Sequence, residues 1–193
     1  MHHPQFQSRL TMFALLAGAI ALAGCTGTAQ TIAPKSTVEV TATVMATPCA
    51  GKYTSTASGF SMNCPAGWVV QSSASIPHGV VFLSPDKTAG FIVTREDTYV
   101  AAGQYSAYLR SYLSKVGAKN VTVAVNHQPM TIGANTWTVS TATFTKDGTN
   151  YTVNQYALEH NGKSVFVESL APTATFVAVQ PEVHNALASM NIT

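Results

Sequence analysis

Three kinds of residue in this 193-residue sequence could do chemistry: three cysteines, a set of histidines, and a Gly-Lys-Ser run. The cysteines are Cys25, Cys49 and Cys64. No two of them form a Cys-x-x-Cys pair, the close spacing that redox motifs and thiolate metal sites use. Gly162-Lys163-Ser164 has the ending of a phosphate-binding loop, yet Ala157 stands where the first Gly of that loop belongs. The run also joins two strand-like stretches instead of a strand and a helix, so it reads as a hairpin turn. His78, His127, His160 and His184 lie near turns or on the last helical stretch with no ligand spacing between them, and read as surface histidines. Neither His-Glu-x-x-His nor Gly-x-Ser-x-Gly occurs. Arg95-Glu96-Asp97 follows a strand and precedes a helix, the position of a solvated charged loop, with a polar-ligand site as the alternative. No catalytic, cofactor-binding or metal-binding residue is assigned, and the chain reads as a non-enzyme.

What remains for the cysteines is set by the N-terminus. MHHPQFQSR supplies a short polar start with Arg9, and Leu10 to Gly24 form an apolar run of 15 residues. A membrane-spanning helix needs about 20 apolar residues, whereas a signal-peptide core needs about 7–15 followed by small residues. Leu22-Ala23-Gly24-Cys25 resembles the lipobox of bacterial lipoproteins, in which a peptidase cuts before a diacylated cysteine. Residues 1–24 are therefore expected to be a lipoprotein signal peptide, with Cys25 lipidated and the protein held on the extracytoplasmic face of the cell envelope. A formal net charge of +2, with only 9% charged residues, offers no polybasic patch, which argues against nucleic acid and against electrostatic membrane binding, so that the expected anchor is lipid and not charge.

Residues 25–49 are rich in Thr and Ser and read as a flexible tether, with a root-mean-square span of about 25–30 Å. Val38, Val40, Ala42 and Val44 alternate with polar residues, so a short docked strand there is the alternative. With Cys25 acylated, Cys49 and Cys64 are left as an even pair in an oxidising compartment, and a disulfide between them is expected.

Residues 50–193 are long enough for one core. Phe60–Met62, Trp68–Val70, Val80–Leu83 and Phe91–Thr94 read as short strands separated by Pro, Gly, Asp and Asn. In Gly103–Ala118 the residues Tyr105, Tyr108, Leu109, Tyr112, Leu113 and Val116 follow helical spacing, and Gly117 is placed as a C-cap. The tyrosine stripe reads as core contact. A strand over Val121–Val125 and a three-strand meander follow, with Asp147-Gly148 and Asn161-Gly162 as two-residue turns. Those turns set Lys146 opposite Thr149 and His160 opposite Lys163. The register then stacks Trp137, Leu158 and Val165 on one face, and places Phe144 beside Tyr151 and Ala157 beside Phe166 on the other. Both faces are apolar, so each needs a cover. The Tyr-rich helix is one candidate; the C-terminal segment, where Pro181 would start or kink a helix, is the other.

Gly59-Phe60-Ser61-Met62-Asn63-Cys64-Pro65-Ala66-Gly67-Trp68 resembles the opening of PsbP-like domains, whose first hairpin commonly reads as an aromatic-led strand followed by Pro-x-Gly-Trp. The likeness runs over about residues 53–193. It implies an α+β fold, an α/β/α sandwich around a central antiparallel sheet with flanking helices. It also implies a binding module, since this fold is shared by photosystem II extrinsic proteins, a Ran-binding import factor and many bacterial lipoproteins. The expectation is thus a lipid-anchored, non-catalytic binding or assembly module with a protein partner and no cofactor. A small-molecule or lipid carrier with a pocket between sheet and helix is the alternative.

Overall fold

The computed structural model describes residues 46–72 and 79–193. Cys25, His78 and the alternating stretch 38–44 lie outside them. The centre is an eight-stranded sheet of antiparallel pairs in the order β1-β4-β5-β6-β10-β9-β8-β7. Its strands are β1 (Ala46–Pro48), β4 (Val69–Ser72), β5 (Gly79–Leu83), β6 (Gly90–Glu96), β7 (Lys119–Ile132), β8 (Asn135–Lys146), β9 (Thr149–His160) and β10 (Lys163–Pro172). Helix α1 (Tyr105–Lys115) covers one face. Helix α2 (Phe176–Ala188) and a small sheet of order β11-β3-β2, made of β2 (Lys52–Ser55), β3 (Phe60–Asn63) and β11 (Asn191–Ile192), cover the other. This is the expected α/β/α sandwich with a second sheet added to one layer.

The register follows from turn chemistry. Asp147, Gly148, Asn161 and Gly162 all have φ between 49° and 79°. Two positive φ values in a row define the turn whose twist matches paired strands, and Asn, Asp and Gly tolerate that region best. Lys146 accordingly faces Thr149, and His160 faces Lys163. One slipped residue would exchange the two faces, whose buried clusters are different. Toward α2 lie Trp137, Val139, Tyr156, Val165 and Val167; toward α1 lie Ala142, Phe144, Tyr151, Val153 and Leu170.

Helix α1 buries Tyr105, Leu109, Tyr112 and Leu113, four members of its periodic stripe. It ends as its sequence dictates: Gly117 takes φ 80°, and the N–H groups of Gly117 and Ala118 bond the carbonyls of Ser114 and Leu113. Helix α2 does not start at Pro181, the first of the two expectations for that residue. It begins at Phe176, and Pro181 lies inside it without starting it. Proline removes the bond to the carbonyl four residues back, which belongs to Val177. Pro181 is exposed and Val177 is 81% exposed, so that carbonyl faces water and the helix tolerates the loss.

The two edges of the large sheet are unequal. At one, Ala46–Pro48, which fall in the stretch read as tether, form β1 along β4. At the other, β7 runs well past the expected Val121–Val125. Its pairing with β8 shifts between Lys119 and Thr122 and again between Asn126 and Met130, with Pro129 in the second shift. Bulges and an edge proline discourage a further strand from adding there.

Candidate functional site

Among the described residues polar side chains gather at several places, two of them buried against the sheet and a third at its exposed end. The first lies between α2 and the sheet. The Tyr156 hydroxyl, on a side chain 1% exposed, donates to Gln180 Oε1 at 2.9 Å and stands 2.9 Å from His184 Nε2 and 3.2 Å from Asn154 Nδ2. A phenol has one proton. With that proton on Gln180, His184 holds its own on Nε2 and donates to the phenol oxygen. Thr141 donates to Asn154 Oδ1 at 2.7 Å, extending the network across two strands. Burial raises the Tyr156 phenol above its ordinary value, and burial holds the His184 imidazole below its own. A tyrosine beside a histidine has the parts of an acid–base pair, but this oxygen is already surrounded by protein partners. The arrangement fastens α2 to the sheet. His184 is thus not the surface histidine expected; it is half-buried because Gln180 and His184, four residues apart, share one flank of the apolar stripe Phe176, Val183 and Leu187.

The second place is a row across the sheet beneath α1, formed by Ser140, Gln155 and Glu168, with exposures of 1%, 0% and 4%. Gln155 Nε2 donates to Glu168 Oε1 at 2.9 Å. Ser140 Oγ and Gln155 Oε1 are buried without a partner. They sit directly opposite one another in register.

The third place is the end of the sheet that carries the Asn161-Gly162 turn. Here Arg95 and Glu96, expected in a solvated loop, are instead the last two residues of β6, paired with Val165 and Ser164, and Asp97 follows directly. Arg95 Nη1 donates to the Thr193 carbonyl at 2.7 Å, over Gly59, where any Cβ would collide with the guanidinium. The Tyr108 hydroxyl donates to Glu96 at 3.3 Å, Lys163 pairs with Asp97 at 3.3 Å, and the Val100 N–H donates to Ser164 Oγ at 2.9 Å. Lys163 and Ser164 therefore close a loop and do not cradle a phosphate, as the hairpin reading expects. Held between these ties, Tyr99 is 54% exposed. At the start of α1, Tyr105 meets Phe166 edge-on at 5.4 Å, and Tyr108 stacks on Phe166 at 5.7 Å. Burial raises the Tyr105 phenol, with smaller contributions in the same direction from Tyr99 and Glu159 beside it and an opposing one from Ser164. Exposed tyrosine is among the residue types in which protein-binding hot spots are enriched. The sequence signal for Tyr99 is its place outside the helical stripe that claims the other tyrosines of α1.

Cys49 and Cys64 are joined as a disulfide with Cα atoms 5.5 Å apart, tying the end of β1 to the segment after β3. Beside it lies an open cavity of about 300 Å³ lined by Pro48, Lys52, Tyr53 and Val70 among others. It sits at the β1 edge, away from both helices. Among the described residues, no three His, Cys, Asp or Glu side chains are placed to hold a metal ion.

No family model matches the sequence, and no curated protein matches it. Solved structures do. The Ran-binding protein Mog1p of Saccharomyces cerevisiae superposes with a TM-score of 0.53 at 10% identity, over 76% of this chain and 96% of that one. The cyanobacterial PsbP protein CyanoP of Synechocystis sp. PCC 6803 gives 0.50 at 10% identity, over 74% and 91%. A structure from Bacteroides thetaiotaomicron gives 0.51 at 19% identity, over 75% of this chain and 49% of that one, so the chain spans about half its length. At these identities the likeness concerns architecture, and the architecture is the PsbP-like fold.

Proposed function

We propose that this chain is a lipid-anchored, extracytoplasmic binding or assembly module, held to the membrane through Cys25, that engages a protein partner through the Tyr99 end of its sheet and carries out no reaction of its own. The observation that carries the reading is Tyr99, an exposed aromatic beside the fastened contact of Val100 with Ser164. Structures of similar fold include a protein described as Ran-binding, which supports partner binding as a use of this architecture. Among the described residues no helix is long and apolar enough to cross a membrane, so attachment in this reading falls to the lipid.

Cells grown with an alkyne fatty acid test the anchor. The protein should take up the label, and Cys25→Ser should abolish it; a Ser variant that is still acylated contradicts the anchor. Size separation of detergent-solubilised membranes tests the partner. The protein should run in a complex larger than its monomer, and Tyr99→Ala should return it to monomer size. Migration as a monomer in both cases contradicts the binding reading. The carrier reading expects a pocket between sheet and helix, whereas the cavity beside Cys49 and Cys64, with a volume at the lower limit of ligand sites, lies at the β1 edge. Native mass spectrometry showing a bound small molecule would favour it.

A further inference from the structure

Charge is unevenly spread over the described residues. They contain eight Lys and Arg and seven Asp and Glu. Four of the cations, Arg110, Lys115, Lys119 and Lys146, gather where α1 ends, β7 begins and β8 turns into β9, with Asp147 as the one acid there. The fold makes this corner through specific contacts. The Gly117 turn brings Lys119 one residue past the end of the helix cap, where the Ala118 N–H bonds the Leu113 carbonyl. Lys119 pairs in register with Thr145, the neighbour of Lys146. Asn120, at φ 53°, absorbs the bulge that follows Lys119. Arg110 reaches over to donate to the Val121 carbonyl at 3.1 Å, which keeps its charge at the same corner. Arg110, Lys115 and Lys119 are exposed and Lys146 is half-buried. The opposite end, around Tyr99, holds Glu96, Asp97 and Glu159 against Arg95 and Lys163.

We infer that this basic corner rests on an anionic lipid bilayer and turns the Tyr99 end outward, toward the partner. The inference builds on the lipid anchor proposed above. Three net positive charges are too few to hold a free protein on a membrane. With a lipid at Cys25, as proposed, the domain meets the surface at high effective concentration, and a weak attraction is then enough to orient it. The basic corner lies at the opposite end of the strands from Tyr99, where three acids stand with two bases and Lys163 pairs with Asp97, so attraction at the corner sets the orientation.

The test is amide hydrogen exchange on the processed protein reconstituted into vesicles of phosphatidylcholine alone and of phosphatidylcholine with about a third phosphatidylglycerol. Exchange over residues 110–123 and 144–150 should slow by about threefold or more on the anionic vesicles, while residues 96–101 stay unchanged. The difference should vanish in 0.5 M salt, where screening shortens to a few ångströms, and in a variant carrying Arg110→Gln, Lys115→Gln, Lys119→Gln and Lys146→Gln. Equal exchange on both vesicles, or slowing at both ends of the sheet, overturns the inference. Slowing that appears only when a soluble anionic polysaccharide is added assigns the corner to a wall polymer and also overturns it. If the protein does not float with vesicles, the anchor reading has failed. The same exchange comparison is then made with Cys25 coupled to a maleimide lipid, which decides the corner independently.

Discussion

The two faces of the central sheet are covered by helices of similar length, yet they are closed by different means. On the α2 face, Tyr156, Gln180, His184, Asn154 and Thr141 bond helix to sheet around one phenol oxygen, inside a large apolar cluster that includes Trp137 and Leu187. On the α1 face the contact is apolar and aromatic, and the buried polar row Ser140, Gln155 and Glu168 leaves two atoms without partners. Directional bonds around one phenol oxygen specify where α2 sits; α1 is positioned mainly by close packing, with bonds at its flanks from Tyr108 to Glu96 and from Arg110 to the Val121 carbonyl. A buried polar group without a partner costs about 1–3 kcal/mol, a burden that Ser140 and Gln155 place on the α1 face and that Trp137 Nε1 places on the α2 face, where the Tyr156 network offsets it.

Large apolar truncations should not distinguish the faces. Trp137→Ala should cost about 3–5 kcal/mol and Leu113→Ala about 2–5 kcal/mol in chemical denaturation, since both side chains are fully buried. A Leu113→Ala cost under about 1 kcal/mol would show that α1 is not a full core layer. Reduction of the Cys49–Cys64 disulfide comes next. The loop between them spans 15 residues, for which chain entropy gives about 3 kcal/mol, or roughly 6–12 °C of thermal midpoint in a domain of this size. No change in midpoint on reduction would contradict that.

The comparison sharpens with polar substitutions. Tyr156→Phe removes the oxygen shared by Gln180, His184 and Asn154 and should cost about 1–3 kcal/mol. Ser140→Ala deletes a buried hydroxyl that has no partner and should be neutral or slightly stabilising. Similar losses from both changes would erase the distinction between the faces. The smallest effect is with pH. Burial holds His184 below the ordinary imidazole value of 6.5, so the unfolded chain takes up a proton first as pH falls. The stability contribution of His184 is therefore complete above about pH 6.5 and is lost as pH drops through the folded value. His184→Gln should flatten the pH dependence of the midpoint in that range, and an unchanged slope would contradict the assignment.

Much of this frame is readable from the residues alone, and the reason is local. Asp147-Gly148 and Asn161-Gly162 demand one turn geometry, and that geometry sets the pairing of β8, β9 and β10 without reference to the rest of the molecule. The stripe of α1 and its Gly117 cap are equally local. What is not readable depends on distant partners. His184 belongs to a network only because β9 brings Tyr156 beneath it, 28 residues away in sequence. Pro181 sits inside α2 because its missing bond happens to face water. Arg95 looks like part of a solvated loop until Gly59 and Thr193, from the two ends of the folded domain, are seen to close on it. Tyr99 stands out only once the other tyrosines are placed in the core.

The account turns on the Tyr99 end being the surface that meets a partner, and photo-crosslinking in intact cells tests this most directly. Tyr99→p-benzoylphenylalanine should yield one discrete protein adduct on irradiation, while the same replacement at Lys87, exposed in the turn between β5 and β6 at the far end of the sheet, should yield none. No adduct from position 99, or the same adducts from both positions, would contradict it.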